Sequence, residues 1–471
     1  MAENEYQMGD LQYRLTEEAA ILTGFNKERT TLELPNLVNG IPVCDIEPAA
    51  LDGCNALRDI SLPMRMDMLP LPELKDCPNL EAIRVSPLNE EFSSADGILY
   101  NKDQTVLLDC PVGRKKDVKM PESVVRIAKG AFSGCKEIQK LTFSPNLEAI
   151  EADAFGDCIR LHEMILPMGL QHIGKNAFFH CKQLRKISIP ADIDEAPDLS
   201  SCSSLDEIRV SPANESFCAK DGVLYDKYCN TLLHCPKAKS GQLHIPLNVS
   251  NIAEGALSDC GRITGIYVPP KNMTFRDIDG VLYSKDGTKL LYCPAGRTAP
   301  LFINEEVTKI RPGAFSLHTV SILLIEDGKA RDYWMQSSDL AAIEVSKDNP
   351  VFSSENGVLY NKDKTTLLRC PAGYSRALTI PDSVTKIADC AFAGCNVLPE
   401  LTLNENLTEI GVGALMGCFR LNRMRFPKSL QTVGENAFSG CVHLHTVYMP
   451  GTLNVPDEMF SDCEDVVILR Y

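Results

Sequence analysis

The segment CIRLHEMILPMGLQHIGKNAFFHC, residues 158 to 181, decides the fold of this chain. Met164 and Leu166 are two residues apart, so both point to the same side of a short strand. Pro167 ends that strand because proline has no amide hydrogen to donate to a ladder. The A-F-x-x-C stretch that follows is typical of a short helical or 3₁₀ turn, which points Phe178 and the closing cysteine inward. The segment therefore predicts one closed coil with its own apolar interior.

This unit recurs in two blocks of the chain, and within each block its full copies lie 23 residues apart, with a last step of 22 in the second block. The closing cysteine of the full copies is found at Cys135, Cys158, Cys181, Cys395, Cys418, Cys441 and Cys463, and that of weaker copies at Cys54, Cys77, Cys202 and Cys260. A period of this length is typical of leucine-rich repeats. One coil cannot bury its apolar side alone, so the coils must stack, with one parallel strand from each. The sequence predicts a single elongated, β-rich solenoid of the leucine-rich-repeat type, with a parallel strand ladder and short helical or 3₁₀ turns.

A second repeated element interrupts the coils. The sequences DGILYNKDQTVLLDCP, DGVLYDKYCNTLLHCP, DGVLYSKDGTKLLYCP and NGVLYNKDKTTLLRCP begin at residues 96, 221, 279 and 356 and align without a gap. Each has two apolar strands around a polar turn, which predicts four β-hairpin inserts. Within one continuous solenoid the predicted order is an N-terminal lead-in with the first repeats at 1–95, a hairpin at 96–111, repeats at 112–216, a hairpin at 217–236, repeats at 237–274, a hairpin at 275–294, a degenerate repeat block at 295–351, a hairpin at 352–371 and C-terminal repeats at 372–471.

The nineteen cysteines are far above the usual number, and their spacing indicates their role. A free cysteine behaves as a small hydrophobic residue. Stacked coils would align the cysteines in a column, so we expect buried free thiols at Cys135, Cys158, Cys181, Cys395, Cys418 and Cys441. A disulfide framework and metal sites are the alternatives. No C-x-x-C pair occurs, and His318 takes the cysteine position of one copy, where a disulfide would lose its partner.

The repeat unit, the hairpins and the opening segment from Tyr13 to Cys54 together resemble the BspA-like branch of leucine-rich-repeat proteins, found in bacteria and some protists. The resemblance runs from about Tyr13 to Cys463 and implies a solenoid. For the better-known members it also implies cell-surface roles in adhesion, co-aggregation and binding of host matrix proteins. The first residues, MAENEYQMGDLQYRL, have neither the basic nor the apolar region of a signal peptide, and the chain has no apolar run long enough to span a membrane. We expect a cytoplasmic protein, with secretion or the cell surface as the alternative.

The sequence does not predict an active site. Residues 169–176 approach a phosphate-binding loop, but Asn176 stands where Ser or Thr should bind Mg²⁺, and the stretch is an ordinary repeat turn. His162 and Glu163 begin like a zinc-protease motif, yet no second histidine follows at the required spacing. We therefore expect no enzyme, no cofactor and no bound metal.

Charge and repeat geometry indicate the class of partner. The chain has 47 Lys and Arg against 63 Asp and Glu, a net charge of −16, which disfavours nucleic acid because an acidic surface repels phosphates. The leading hypothesis is a non-catalytic protein whose extended surface binds a protein or another macromolecule. A cell-surface adhesin of the BspA type is the alternative, and a thiol-based redox or metal-binding protein is a further one.

Outward positions of the strand ladder supply the candidate partner-binding residues. The alternation of a strand places Lys140, Lys186, Arg423, Arg425 and Tyr448 on the outer face. Tyr448 follows Arg425 by one period of 23 residues, so the two are expected to be neighbours. Arginine and tyrosine are enriched at the energetic centres of interfaces, which supports the hypothesis that this basic pair binds an acidic partner. The alternative is that the arginines only offset the charge of nearby acidic coils, a surface role that contributes little energy.

The hairpin tips are a second possible surface. They lie around Lys102, Lys285 and Lys362.

Overall fold

Short β-strands and hydrogen-bonded turns make up almost all of the computed structural model, which describes residues 4–66, 74–315, 339–463 and 466–471. His318 and the middle of the predicted degenerate block lie outside the described residues.

The chain divides into two units, Met1–Ala238 and Lys239–Tyr471. A 3₁₀ helix occurs in each, at Pro48–Leu51 and at Asp457–Phe460.

The strands of the first unit are β1 Asn4–Met8, β2 Leu11–Leu15, β3 Ala20–Gly24, β4 Thr31–Glu33, β5 Leu37–Val38, β6 Ile41–Ile46, β7 Asp59–Leu62, β8 Ala82–Val85, β9 Phe92–Ala95, β10 Ile98–Asn101, β11 Val106–Asp109, β12 Val118–Lys119, β13 Arg126–Ile127, β14 Leu141–Thr142, β15 Ala149–Ile150, β16 Glu163–Ile165, β17 His172–Ile173, β18 Lys186–Ile189, β19 Glu207–Val210, β20 Phe217–Lys220, β21 Val223–Asp226 and β22 Thr231–His234.

The strands of the second unit are β23 Gly241–His244, β24 Asn251–Ile252, β25 Ile263–Tyr267, β26 Phe275–Ile278, β27 Val281–Ser284, β28 Lys289–Tyr292, β29 Leu301–Ile303, β30 Lys309–Ile310, β31 Ile343–Val345, β32 Phe352–Glu355, β33 Val358–Asn361, β34 Thr366–Arg369, β35 Leu378–Thr379, β36 Lys386–Ile387, β37 Leu401–Thr402, β38 Glu409–Ile410, β39 Arg423–Arg425, β40 Thr432–Val433, β41 Thr446–Met449 and β42 Val467–Arg470.

Six of the seven full coils have two short strands, whereas the sequence predicted one, and the coil that closes at Cys463 has only β41. In the coil that starts at Cys158, β16 pairs in parallel with β18 of the next coil, and β17 pairs in parallel with β15 of the preceding coil. The first of these ladders is the outer face that carries the candidate binding residues. The second continues through β13 to β11, the last strand of a hairpin. The hairpin therefore joins the coils by extending their second ladder.

The third side of each coil is a hydrogen-bonded turn, in agreement with the predicted helical or 3₁₀ turns. The amide of Cys158 donates to the carbonyl of Phe155 at 3.1 Å, which closes a tight turn within the coil. The amide of Phe155 in turn donates to Ala177 in the next coil at 2.8 Å. Asp153 and Asp157 adopt positive φ angles of 56° and 58°, which Asp, Asn and Gly tolerate best. Where both ladders form, stacked coils are thus hydrogen-bonded to each other on three sides.

A turn at Gly174 would suggest a positive φ, but the φ of Gly174 is not in the left-handed region. Gly174 contributes to the stacking of coils by its small size. A Cβ atom on Gly174 would overlap the backbone nitrogen of Ala152 in the preceding coil. The repeated I-G dipeptide is therefore the point where two coils approach most closely.

The predicted cysteine column is present in both units. The six predicted thiols at Cys135, Cys158, Cys181, Cys395, Cys418 and Cys441 are buried and carry no disulfide. Each lies beside a ring or an aliphatic side chain in an apolar core, such as Phe132, Phe155 and Phe178 in the first unit. Burial raises the pKa of the Cys158 thiol well above its usual value, so the sulfur stays protonated. These thiols are structural.

Each hairpin begins with one more strand than the sequence indicated. In the first hairpin β9 pairs antiparallel with β10, and β10 pairs antiparallel with β11. The same arrangement is found in β20 to β22, β26 to β28 and β32 to β34. The loop before each hairpin carries a buried asparagine, at Asn89, Asn214, Asn272 or Asn349.

Candidate binding surface

The outer face of β39 and β41 brings together three of the candidate residues. Arg423 and Arg425 are exposed on either side of buried Met424, as strand alternation requires. In the parallel ladder Arg425 is the direct neighbour of Tyr448. The tyrosine ring is 39% exposed, so part of it is available to a partner.

A groove of about 450 Å³ lies beside these residues. We call it the ladder groove, and it is lined by Pro399, Glu400, Leu401, Thr402, Leu403, Glu405, Leu421, Asn422, Arg423, Met424, Arg425, Pro427 and Tyr448. It follows an interruption in the outer ladder, because β37 belongs to a two-stranded sheet with β35 while β39 begins the sheet of β39, β41 and β42. Both strands that border the groove are thus edge strands.

Asn404 lies at this interruption. It stands 23 residues from both Pro381 and Pro427, at the position where the adjoining coils have proline. Its side-chain amide donates to the carbonyls of Pro381 at 2.6 Å and Val384 at 2.9 Å. These bonds hold the β37 coil to the coil that precedes it, while the ladder to β39 is not formed. The outer ladder is interrupted in the same way between β14 and β16, where Ser144 takes the proline position, so the missing proline is the sequence signal that could have located the groove.

The two arginines supply the positive charge of the ladder groove. Neither is in an ion pair with any residue that the structure describes. The Arg425 guanidinium lies 5.0 Å from the centre of the Tyr471 ring, within cation–π range. The Tyr471 hydroxyl donates to the carbonyl of Phe426, which holds the ring in place. The Tyr471 ring therefore positions Arg425, and no acidic residue in the described part of the chain forms an ion pair with it.

The candidate lysines lie on the outer face of the first unit. Lys140 is exposed just before β14, and Lys186 is half-buried at the start of β18. The Lys186 ammonium lies 3.0 Å from the Glu207 carboxylate, which also accepts a hydrogen bond from Arg209 at 2.7 Å. The hydrogen bonds from Arg209 and Lys186 lower the Glu207 pKa to about 2. The charge of Lys186 is thus already balanced, unlike those of the two arginines.

The lysines at the hairpin tips are tied to the backbone. The ammonium of Lys102 donates to the carbonyl of Pro87 at 3.1 Å, and that of Lys285 donates to Pro270 at 2.7 Å. Lys362 makes the equivalent bond to Lys347 at 3.0 Å. These lysines stabilise the loops before their hairpins. Their ammonium groups are therefore less available to a partner.

The described residues show neither a metal-binding cluster nor a membrane-spanning helix. They hold no group of three or more His, Cys, Asp or Glu side chains arranged to bind a metal ion. No helix in the same part of the chain has the length and apolar character to cross a membrane.

Two regions of the chain, residues 114–220 and 374–470, match the family model described as a BspA type leucine rich repeat region, in six copies. No curated protein matches the chain. Among solved structures, the chain is similar to a leucine rich cell surface protein from Faecalibacterium prausnitzii A2-165, with 18% identity, coverage of 100% of this chain and 95% of the other, and a TM-score of 0.32.

Two further solved structures are similar to this chain. A leucine-rich repeat protein from Eubacterium ventriosum is 17% identical, and the match covers 93% of this chain and 95% of the other with a TM-score of 0.39. The pneumococcal vaccine antigen PcpA is 14% identical, and the match covers 100% of this chain and 88% of the other with a TM-score of 0.27.

Proposed function

We propose that this chain, of which residues 114–220 and 374–470 match BspA-type leucine-rich repeats, is a non-catalytic protein that binds an acidic, extended segment of another protein in the ladder groove. The observation that carries the proposal is the pair of exposed arginines on the wall of that groove, neither of which forms an ion pair within the described parts of the chain. The chain as a whole is strongly acidic, so a basic pair of this kind is a local departure from the general surface charge.

The chemistry of the groove favours a carboxylate-bearing strand. Arginine presents a planar fork of donors that matches a carboxylate with two hydrogen bonds. The outer face of β39 is open along the groove, so an extended peptide can lie along it. Tyr448 adds an exposed aromatic ring beside Arg425. Glu400 and Glu405 on the facing wall disfavour acidic residues there, so the carboxylates of the segment would lie against β39.

Peptide selection tests the proposal without a known partner. A displayed library of random peptides is selected against the full chain, and the recovered peptides are measured by fluorescence anisotropy. We expect peptides rich in Asp and Glu. Their affinity should fall at least about tenfold in the Arg423→Glu, Arg425→Glu double variant, because repulsion replaces attraction at both positions. The melting temperature should hardly change, since both side chains are exposed.

A matched control comes from the same coil. Arg420→Glu with Lys428→Glu makes the same change in charge at two exposed residues that do not line the ladder groove. This variant should keep the affinity of the parent chain to within about twofold, a loss set only by long-range charge and screened by salt. Equal binding of the selected peptides to the parent chain and the Arg423→Glu, Arg425→Glu variant would place the binding surface elsewhere.

The BspA-type match also supports adhesion as the biological use of this binding. An adhesin must be displayed outside the cell. Treatment of intact source cells with a protease, followed by immunoblotting, should then degrade the chain while a cytoplasmic marker stays intact. Full protection of the chain would exclude the adhesin and leave binding inside the cell.

A further inference from the structure

Two cysteines of the second hairpin stand apart from the cysteine column. Cys218 lies in β20, and Cys229 lies in the turn between β21 and β22. Neither occupies the closing position of a repeat, and both are partly exposed. No packing role of the kind that explains the column accounts for them.

The fold of the hairpin brings the side chains at these two positions close together. In the third hairpin the equivalent residues are Arg276 and Gly287, and a Cβ atom on Gly287 would overlap the Arg276 guanidinium. The first and fourth hairpins have Ser93 with Gln104 and Ser353 with Lys364. Only the second hairpin has a thiol at both positions.

The sulfur atoms of Cys218 and Cys229 are 2.8 Å apart. This is closer than two non-bonded sulfur atoms normally approach, while a disulfide requires about 2.0 Å. The Cys218 thiol also contacts the carbonyl of Asp226 at 3.2 Å, which keeps it directed across the hairpin. A small movement of either side chain therefore suffices to form a bond.

We propose that Cys218 and Cys229 are a site of reversible oxidation, where an intramolecular disulfide forms by exchange with a low-molecular-weight disulfide such as oxidised glutathione. The Cys229 thiolate attacks one sulfur of the small disulfide, forming a mixed disulfide and releasing one thiolate. The Cys218 thiolate then attacks the Cys229 sulfur and releases the second thiolate. The two protein thiols lose two electrons and two protons, and the small disulfide gains them as two thiols.

The surroundings of the two thiols determine this order of attack. Burial, followed by the hydrogen bond with Cys229, raises the Cys218 pKa to about 12, so its thiolate is scarce and its first attack is slow. Cys229 lies at the turn between two exposed residues, Tyr228 and Asn230. A small disulfide in solution therefore reaches Cys229 more easily. Cys218 attacks second, when the mixed disulfide is already beside it.

The bond would join the first strand of the hairpin to its second turn. Because the other three hairpins lack the thiol pair, this covalent link would be confined to the second one. An oxidising environment would then stabilise one hairpin selectively, and the cysteine column would remain reduced because its thiols are buried.

The test exposes the full native chain to oxidised glutathione and maps thiols and disulfides by mass spectrometry. We expect one cross-link, between Cys218 and Cys229, that dithiothreitol reverses. Cys218→Ser should accumulate one glutathione on Cys229, because the second attack is removed. Cys229→Gln should acquire glutathione on Cys218 at least tenfold more slowly. Serine and glutamine occur naturally at these positions in the first hairpin, so both variants should fold.

A Cys390→Ser variant is the control. Cys390 is also partly exposed but lies in a different turn, so its loss should leave the cross-link unchanged. The proposal is overturned if the parent chain acquires glutathione without forming the cross-link, or if Cys218 and Cys229 pair instead with cysteines of the column. Equal rates of first modification in the two single variants would overturn the order of attack.

Discussion

A buried cysteine in this protein does two things at once. It fills the core as a small apolar side chain, and its thiol donates a weak hydrogen bond to a carbonyl of the preceding coil. Cys441 contacts the carbonyl of Leu415 at 3.2 Å, and Cys158 makes the equivalent contact with Phe132 at 3.1 Å. Serine keeps the donor, but its shorter bond moves the oxygen away from that carbonyl and removes apolar contact.

We therefore expect Cys441→Ser to lower the free energy of unfolding by roughly 1–3 kcal/mol, because a hydroxyl is buried with a poorly placed partner. Urea unfolding followed by circular dichroism measures this. Cys390→Ser, at a partly exposed thiol outside the column, should cost less than about 1 kcal/mol. Similar losses for the two variants would contradict the structural role assigned to the column.

A buried asparagine before each hairpin shows how a polar residue is accommodated at the residue scale. The Asn214 amide donates to the carbonyls of Pro190 and Ile193, both at 2.8 Å. Its oxygen accepts from the amides of Ser216 at 2.9 Å and Phe217 at 2.7 Å. Asn214 begins an N-x-S/T triplet, but in the folded chain its side chain is fully buried and hydrogen-bonded.

At the scale of the coil, the closest backbone approach determines which substitutions the stack tolerates. Gly174 and Gly169 belong to the same coil, yet only Gly174 lies against the neighbouring backbone. A Cβ atom on Gly169 would meet nothing within 4 Å, and its φ is not in the left-handed region. The two glycines are thus a matched pair for testing how coils stack.

Gly174→Ala should destabilise the chain by about 1–3 kcal/mol, because the coils must separate to admit a methyl group. Gly169→Ala should be neutral or stabilise it by up to about 1 kcal/mol, because alanine restricts the unfolded chain. Thermal and urea unfolding of both variants measure the difference. A neutral Gly174→Ala would mean that coils shift apart more easily than this close contact implies.

At the scale of the whole molecule, each unit has its own apolar cores, and the thiols lie within them. Fourteen of the nineteen cysteines are buried. A charged thiol reagent should therefore modify the native chain rapidly only at the partly exposed cysteines, which are Cys44, Cys218, Cys229, Cys390 and Cys463. In a denaturant all nineteen should react.

Labelling at intermediate urea concentrations extends this prediction. Because stacked coils stabilise one another, Cys135, Cys158 and Cys181 should become reactive together, within one narrow range of urea. Mass spectrometry of the labelled peptides would resolve each site. Exposure of these three thiols at clearly different urea concentrations would show that their coils unfold independently.

The spacing of residues along the chain was enough to predict the stacking of the coils and the residues on their outer face. The 23-residue period fixes which residues stack, so it predicts the buried thiols and the contact between Arg425 and Tyr448. Strand alternation predicts which side chains face outward, as Arg423 and Arg425 do. These inferences succeed because in a repeat protein a position in one coil determines its neighbour in the next.

The remaining features arise from contacts that spacing does not specify. Three such features are the second strand that most coils have, the close approach at Gly174 and the ion pair of Lys186 with Glu207. All depend on how particular side chains and backbones meet across coils. The ladder groove lies where the outer ladder between β37 and β39 is not formed, which the repeat spacing does not predict. Cys218 and Cys229 are eleven residues apart in sequence, and only the folding of the hairpin brings their sulfur atoms together.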